Sequence, residues 1–151
     1  MNIELNGKRT AILLVLASIF VLGASILSGA YAHKQFTNKS IEGTWGFSGS
    51  GTIIGVGPAV AVGLSTFDGN GGCSLKEDFN SPSGLETLTS VACTYKVNPD
   101  GTGTSTATFR PPLASSTISF VILNEGSEIQ AITIDPGVIA SLVFKRQSED
   151  S

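Results

Sequence analysis

The sequence predicts an all-β protein: an antiparallel up-and-down barrel of 8 or 9 strands after an N-terminal signal peptide. Three observations carry this. Turn-forming clusters recur along the chain, at Asp68-Gly69-Asn70-Gly71-Gly72, Asn98-Pro99-Asp100-Gly101, Asn124-Glu125-Gly126-Ser127 and Asp135-Pro136-Gly137. Such residues supply fixed or positive φ and bonds from side chain to backbone, and their regular spacing marks an antiparallel meander. Between the clusters lie runs rich in β-branched and aromatic residues, several of which alternate polar with apolar positions. Nothing from 33 to 151 carries a 3.6-residue period, apart from room for a short helix just before Trp45. An open meander would leave two exposed edges, and closure removes both.

The chain begins with a segment that does not belong to this pattern. Lys8 and Arg9 are followed by an uncharged stretch, residues 10–32, that ends on Ser28-Gly29-Ala30-Tyr31-Ala32. A positive start, an apolar run and small residues at Ala30 and Ala32 are the features of a cleaved signal peptide. The stretch is also long enough to span a bilayer as an uncleaved anchor. Either way the positive-inside rule puts the remainder outside the cytoplasm, periplasmic or secreted. With the anchor, the membrane is touched through this segment alone. The expected organisation is a signal peptide at 1–32, a short flexible linker at 33–42, the barrel at 43–147 and a tail at 148–151.

The strands expected in order are 43–50, 51–57, 59–67, 72–79, 89–97, 102–109, 117–124, 128–135 and 138–147. In 72–79, Cys73, Leu75, Glu77 and Phe79 share one face and Ser74, Lys76 and Asp78 the other. In 89–97, Val91, Cys93, Tyr95 and Val97 oppose Ala92, Thr94 and Lys96, and in 102–109 the outer face is a ladder of Thr104, Thr106 and Thr108. Setting Cys73 opposite Cys93 pairs Phe79 with Glu86 or Thr87 and leaves a tight loop around Pro82-Ser83-Gly84. Two cysteines in an exported chain most simply form one disulfide, closing a loop of about 20 residues. The runs 53–64, 117–124 and 138–144 are apolar on both faces, so something must cover the outer one. That cover is either residues 53–64 folded back across the other strands or a second subunit, which makes a homo-oligomer the expectation.

Charge and composition exclude several functions. The chain has nine basic and twelve acidic residues, a net charge of −3. Cleavage after Ala32 removes Lys8, Arg9 and Glu4 and makes it −4, the wrong sign for a nucleic-acid footprint. His33 is the lone histidine and would open the mature chain, so Ser-His-Asp and Cys-His catalysis lack a positioned base. Zinc lacks ligands for the same reason. The Asp68 turn resembles the first half of a calcium loop, but its twelfth position is Phe79 rather than a bidentate glutamate. No metal or cofactor is expected.

Glu77 is the informative carboxylate, because alternation sets it inward beside Leu75 and Phe79, where burial would raise its pKa. Tyr95 is expected in the same neighbourhood. Small side chains at Ala59, Ala61, Gly63 and Ala107 leave room for a cavity. Glu77, Tyr95 and Phe79 are therefore the candidate ligand-binding residues. The expected function is noncatalytic: binding a small apolar molecule, or acting as an envelope interaction module. A cyclase or isomerase that shapes a reactive substrate in the cavity, and a purely structural surface protein, are the alternatives.

Ser40-Ile41-Glu42-Gly43-Thr44-Trp45 resembles the Gly-x-Trp motif that opens the first strand of lipocalins. In these calycin barrels a late arginine packs across that tryptophan, which implies that Arg146 covers Trp45. The middle motif of lipocalins is missing, and the short loops look more like allene-oxide-cyclase-type barrels. Residues 66–71, 95–103 and 128–137 are similar to a small exported bacterial family without assigned chemistry. What these resemblances imply is architecture.

Overall fold

The computed structural model describes residues 35–111 and 115–148. The proposed signal peptide and His33 lie outside the described residues. Nine antiparallel strands form one curled sheet: β1 (Gly43–Ile53), β2 (Gly57–Phe67), β3 (Cys73–Ser81), β4 (Gly84–Thr89), β5 (Ala92–Val97), β6 (Thr102–Thr108), β7 (Ser115–Leu123), β8 (Glu128–Thr133) and β9 (Val138–Arg146). Two short 3-10 turns, Asn38–Ile41 and Asn124–Gly126, are the helical elements among the described residues. The spatial order is β4-β3-β2-β1-β9-β8-β7-β6-β5, so strands adjacent in sequence pair except β4 with β5, and the first strand pairs with the last.

The two ends of this sheet, β4 and β5, are consecutive along the chain. They are the halves of one bent strand that changes partner. Its first half pairs with β3, from Lys76↔Thr89 to Ser81↔Gly84, and its second half with β6. Between them, Ser90 still takes the Leu75 N–H on its hydroxyl at 2.9 Å, while the Val91 N–H already donates to Thr108 O at 2.8 Å. The seam between β3 and β5 is closed at one end by the Gly72↔Thr94 bridge, the Tyr95 N–H donating to Gly71 O at 2.8 Å, and the Cys73–Cys93 disulfide. The expected strand 89–97 is therefore broken at Ser90-Val91, and residues 84–89, left out of the expected strands, form β4 in a tight hairpin with β3 that sets Phe79 opposite Glu86. Reduction of the disulfide, or Cys73→Ser with Cys93→Ser, should lower stability by about 3 kcal/mol on the loop-entropy model. Urea unfolding of oxidised and double-mutant protein measures this, with a thiol titration showing none free in the oxidised form.

The strand expected at 51–57 does not exist as a separate element. β1 runs on through Gly51 to Ile53, and the turn comes at Ile54–Val56, where the Val56 N–H returns to Ile53 O at 3.0 Å. Gly51 acts by close approach, not by turning: a Cβ there would lie 2.3 Å from Ile139 O and 2.5 Å from Ala140 Cα. A sheet that curls this tightly brings neighbouring backbones together at such points.

Alternation divides the side chains into an inner and an outer set. The core lies at one end of the barrel and comprises Ile41, Trp45, Phe47, Phe67, Tyr95, Val97, Phe120, Ile122, Ile129, Ala131 and Phe144. The outer surface has two characters. Over β3, β5 and β6 it is polar, with Ser74, Lys76, Asp78, Thr94, Lys96, Thr104 and Thr106 on the strand faces opposite the inward set. Over β2, β9 and β8 it is apolar, with Val60, Val62, Leu64, Ile132 and Ile139 each at least half exposed. Residues 53–64 lie beside β1 in the sheet and not across it. The fold-back cover anticipated for the doubly apolar strands is thus not what forms.

Candidate functional site

The two ends of the barrel are built differently, and the difference locates the site. At the closed end, residues 36–42 run across the opening and pack against it. Ile41 and Trp45 are fully buried, and the indole Nε1–H donates to Ile41 O at 2.9 Å. The Arg146 guanidinium lies 4.5 Å above the Trp45 ring, and its nitrogens donate to the carbonyls of Glu42, Ser40 and Gly126. One cation therefore ties the incoming segment and the 124–126 turn to the tryptophan, as the lipocalin resemblance implied. Asn38 adds a second tie, accepting from the Val97 N–H at 2.9 Å and, through its carbonyl, from the Tyr95 hydroxyl at 3.1 Å. The segment expected to be a flexible linker is in this part a plug. Its polar residues satisfy backbone groups while Ile41 supplies the buried surface.

The open end is lined by small residues, and there the interior is hollow. Gly49, Gly51, Ala59, Ala61 and Ala140 border a recess of about 110 Å³ that also touches Glu77 and Phe79. A deeper pocket of about 60 Å³ lies beside Glu77, Phe47, Phe67, Ala107 and Phe144. A wider opening of about 360 Å³, within the range of small-molecule sites, is bordered by Glu77, Phe79, Glu86, Leu88, Phe109 and Asp135. Glu77 is common to all three, so the spaces meet around its carboxylate.

Glu77 reaches this position because β3 places it opposite Gly63 on β2 and Leu88 on β4. Gly63 gives it the space: a Cβ on Gly63 would sit 2.9 Å from the Glu77 Cβ. The carboxylate makes no hydrogen bond or ion pair with the described residues, and burial raises its pKa. No lysine or arginine lines any of the three spaces. Asp135 at the rim is already engaged, accepting the Thr117 N–H at 2.7 Å. Glu86 faces the same opening from β4.

The raised pKa has a definite consequence for stability. A carboxylate whose folded pKa exceeds its unfolded value destabilises the fold once ionised. The penalty is absent below the ordinary glutamate value of 4.5, grows as pH rises through the interval up to the folded pKa, and is complete above it. Glu77→Gln, which keeps the shape, should therefore be more stable than the parent at neutral pH and equal to it near pH 4. Paired thermal melts across that range check the sign.

Other sequence-predicted residues fall elsewhere. Tyr95, expected near Glu77, lies in the closed-end core with its ring edge-on to Phe67 at 4.9 Å and borders none of the three spaces. Its face was right and its height in the barrel was not. Phe79 does line the recess. The Asp68 carboxylate accepts the N–H groups of Asn70 (2.7 Å) and Gly72 (2.9 Å), bonds that hold its pKa down and commit it to its own turn. Among the described residues no group of three or more His, Cys, Asp or Glu is placed to hold a metal. Glu86 and Asp135 had no place among the candidates. The pairing of Phe79 with Glu86 was the signal that sets Glu86 inward.

Searches against protein-family models, curated proteins and solved structures find no match to the chain. No helix among the described residues is long and apolar enough to cross a membrane. The disulfide is compatible with an oxidising, exported location.

Proposed function

We propose that this is an exported, noncatalytic barrel that binds a small, mostly apolar molecule in the recess around Glu77, as the calycin resemblance suggests for its architecture. The observation that carries this is the contrast between its ends. One is packed solid by Ile41, Trp45 and Phe144, while the other is left hollow by glycines and alanines at positions where large side chains would fill it. A purely structural barrel gains nothing from such a void, because unfilled interior forfeits packing energy.

The test is the thermal stability of the full chain in the presence of 1-octanol, a neutral probe with an eight-carbon tail. A ligand shifts the melting temperature only by binding the folded state in preference to the unfolded one, so adsorption to the apolar N-terminal segment does not register. At a hundred times its dissociation constant, octanol should add about 2.7 kcal/mol. Ala61→Phe, which fills the recess, should abolish the shift. If neither octanol nor an eight-carbon amine shifts the melt of the parent protein, the cavity-binding reading fails.

The apolar flank supports a homo-oligomer. Val60, Val62 and Leu64 form one ridge and Ile139, Val143 and Ile132 another, on either side of a furrow of Gly46, Ser48 and Ser50 on β1. A second copy related by a two-fold axis can set a ridge into this furrow, and burying each large side chain contributes roughly 1.5–3 kcal/mol. Light scattering at tens of micromolar should show a dimer or larger species that Val62→Lys returns to the monomer. A monomeric parent would end this part of the proposal.

A further inference from the structure

Resting on the cavity-binding reading above, we infer that the occupant is a cation: a protonated amine carried on an apolar body, with its nitrogen held by the Glu77 carboxylate. Four observations converge on this chemistry. Glu77 and Ser116 are shared by the deep pocket, the recess and the outer opening, and Glu77 is the charged one, so a molecule entering from the rim meets its carboxylate on the way in. That carboxylate has no hydrogen-bond or ion-pair partner among the described residues, whereas Arg146 at the closed end is satisfied by three carbonyls and an indole face. A half-buried charge left without a protein partner carries part of a desolvation cost, which a cation of complementary size offsets on binding.

The surroundings are selective in the same sense. The walls beside Glu77 are apolar or small, and every charged residue bordering the three spaces is an acid: Glu77 itself, with Glu86 and Asp135 at the rim. A carboxylate- or phosphate-bearing ligand would meet uncompensated negative charge in these three spaces, whose linings hold no lysine or arginine, Arg110 bordering a separate opening beyond Leu88 and Phe109. A neutral ligand would fill the apolar walls but leave the carboxylate unpaired. An alkyl or small-ring amine satisfies both parts of the site at once. The acidic rim would also raise the local concentration of cations at the opening.

The experiment compares 1-octylamine (protonated at pH 7), 1-octanol and octanoate as stabilisers of the full chain, read as the concentration needed for a given rise in melting temperature. Octylammonium should act at about ten- to a hundredfold lower concentration than octanol, as a charge-assisted hydrogen bond warrants. Octanoate should give no shift. Glu77→Gln should bring octylammonium to within a few-fold of octanol measured on the same variant, and Glu77→Asp should retain part of the preference for the amine. If octanol shifts the melt and octylammonium is no better, or if its advantage survives Glu77→Gln, the charge assignment is overturned while cavity binding stands. If none of the three shifts the melt, the cavity reading fails and this inference with it.

Discussion

Trp45→Ala should lower the stability of the barrel by about 3–5 kcal/mol, the range for removing a large aromatic side chain from a packed core. Three separate losses fall on this one residue. The side chain is fully buried against Ile41 and the closed-end core, so a cavity replaces it. The Ile41 carbonyl loses the indole donor at 2.9 Å. Arg146 loses the ring beneath it while still bonded to the carbonyls of Ser40, Glu42 and Gly126. Arg146→Ala should cost less, about 1–3 kcal/mol, because it removes hydrogen bonds and a cation–π contact but leaves the aromatic core in place. Its distinguishing sign is a changed emission from Trp45, the chain's one tryptophan. Urea unfolding followed by circular dichroism orders the two. A Trp45→Ala cost below that of Arg146→Ala would mean that the plug and not the indole organises the closed end.

Gly63→Ala should also be strongly destabilising, although it adds a single methyl group. A Cβ at this position would stand 2.2 Å from Lys76 O and 2.8 Å from Glu77 Cα, both backbone atoms that cannot rotate away. β2 and β3 would have to separate at the point where Glu77 is held, at a typical overpacking cost of 1–3 kcal/mol. Gly46→Ala on β1 is the control. There the added methyl meets the end of the Gln147 side chain, which can move, so the substitution should be near neutral. Equal melting temperatures for the two variants would contradict the close approach of β2 and β3. Because Gly63→Ala displaces Glu77, it should also weaken octylammonium binding under conditions where the protein is still folded.

The parts legible in the sequence were those decided by local chemistry. The turns at 68–72, 98–101 and 135–137 are marked by glycines at Gly69, Gly71, Gly101 and Gly137 that take positive φ in the structure. The inward face of β3 followed from strict alternation, and the disulfide tied β3 to β5 across the seam. What failed depended on neighbours distant in sequence. The break expected between residues 50 and 51 is absent, and sequence does not distinguish a glycine that turns the chain from one that, like Gly51, admits another backbone. The partner change at Ser90-Val91 is invisible locally, since it rests on whether Leu75 or Thr108 meets each backbone group. Tyr95 was set on the correct face but at the wrong end. Alternation tells inside from outside, whereas height in a barrel follows from strand tilt and stagger. Ile41, a single apolar residue between Ser40 and Glu42, gave no periodic signal of the plug it forms.

Native mass spectrometry of the protein purified from its own host tests the central claim most directly, since the occupant needs no prior identification. The expected result is a folded species heavier than the polypeptide by the mass of one small molecule per chain. That mass should be lost on denaturation and depleted in Glu77→Gln, and the released molecule should be an apolar amine. A folded species at the bare polypeptide mass, unchanged when octanol or octylamine is supplied, would contradict it and leave the barrel a structural module with an empty mouth.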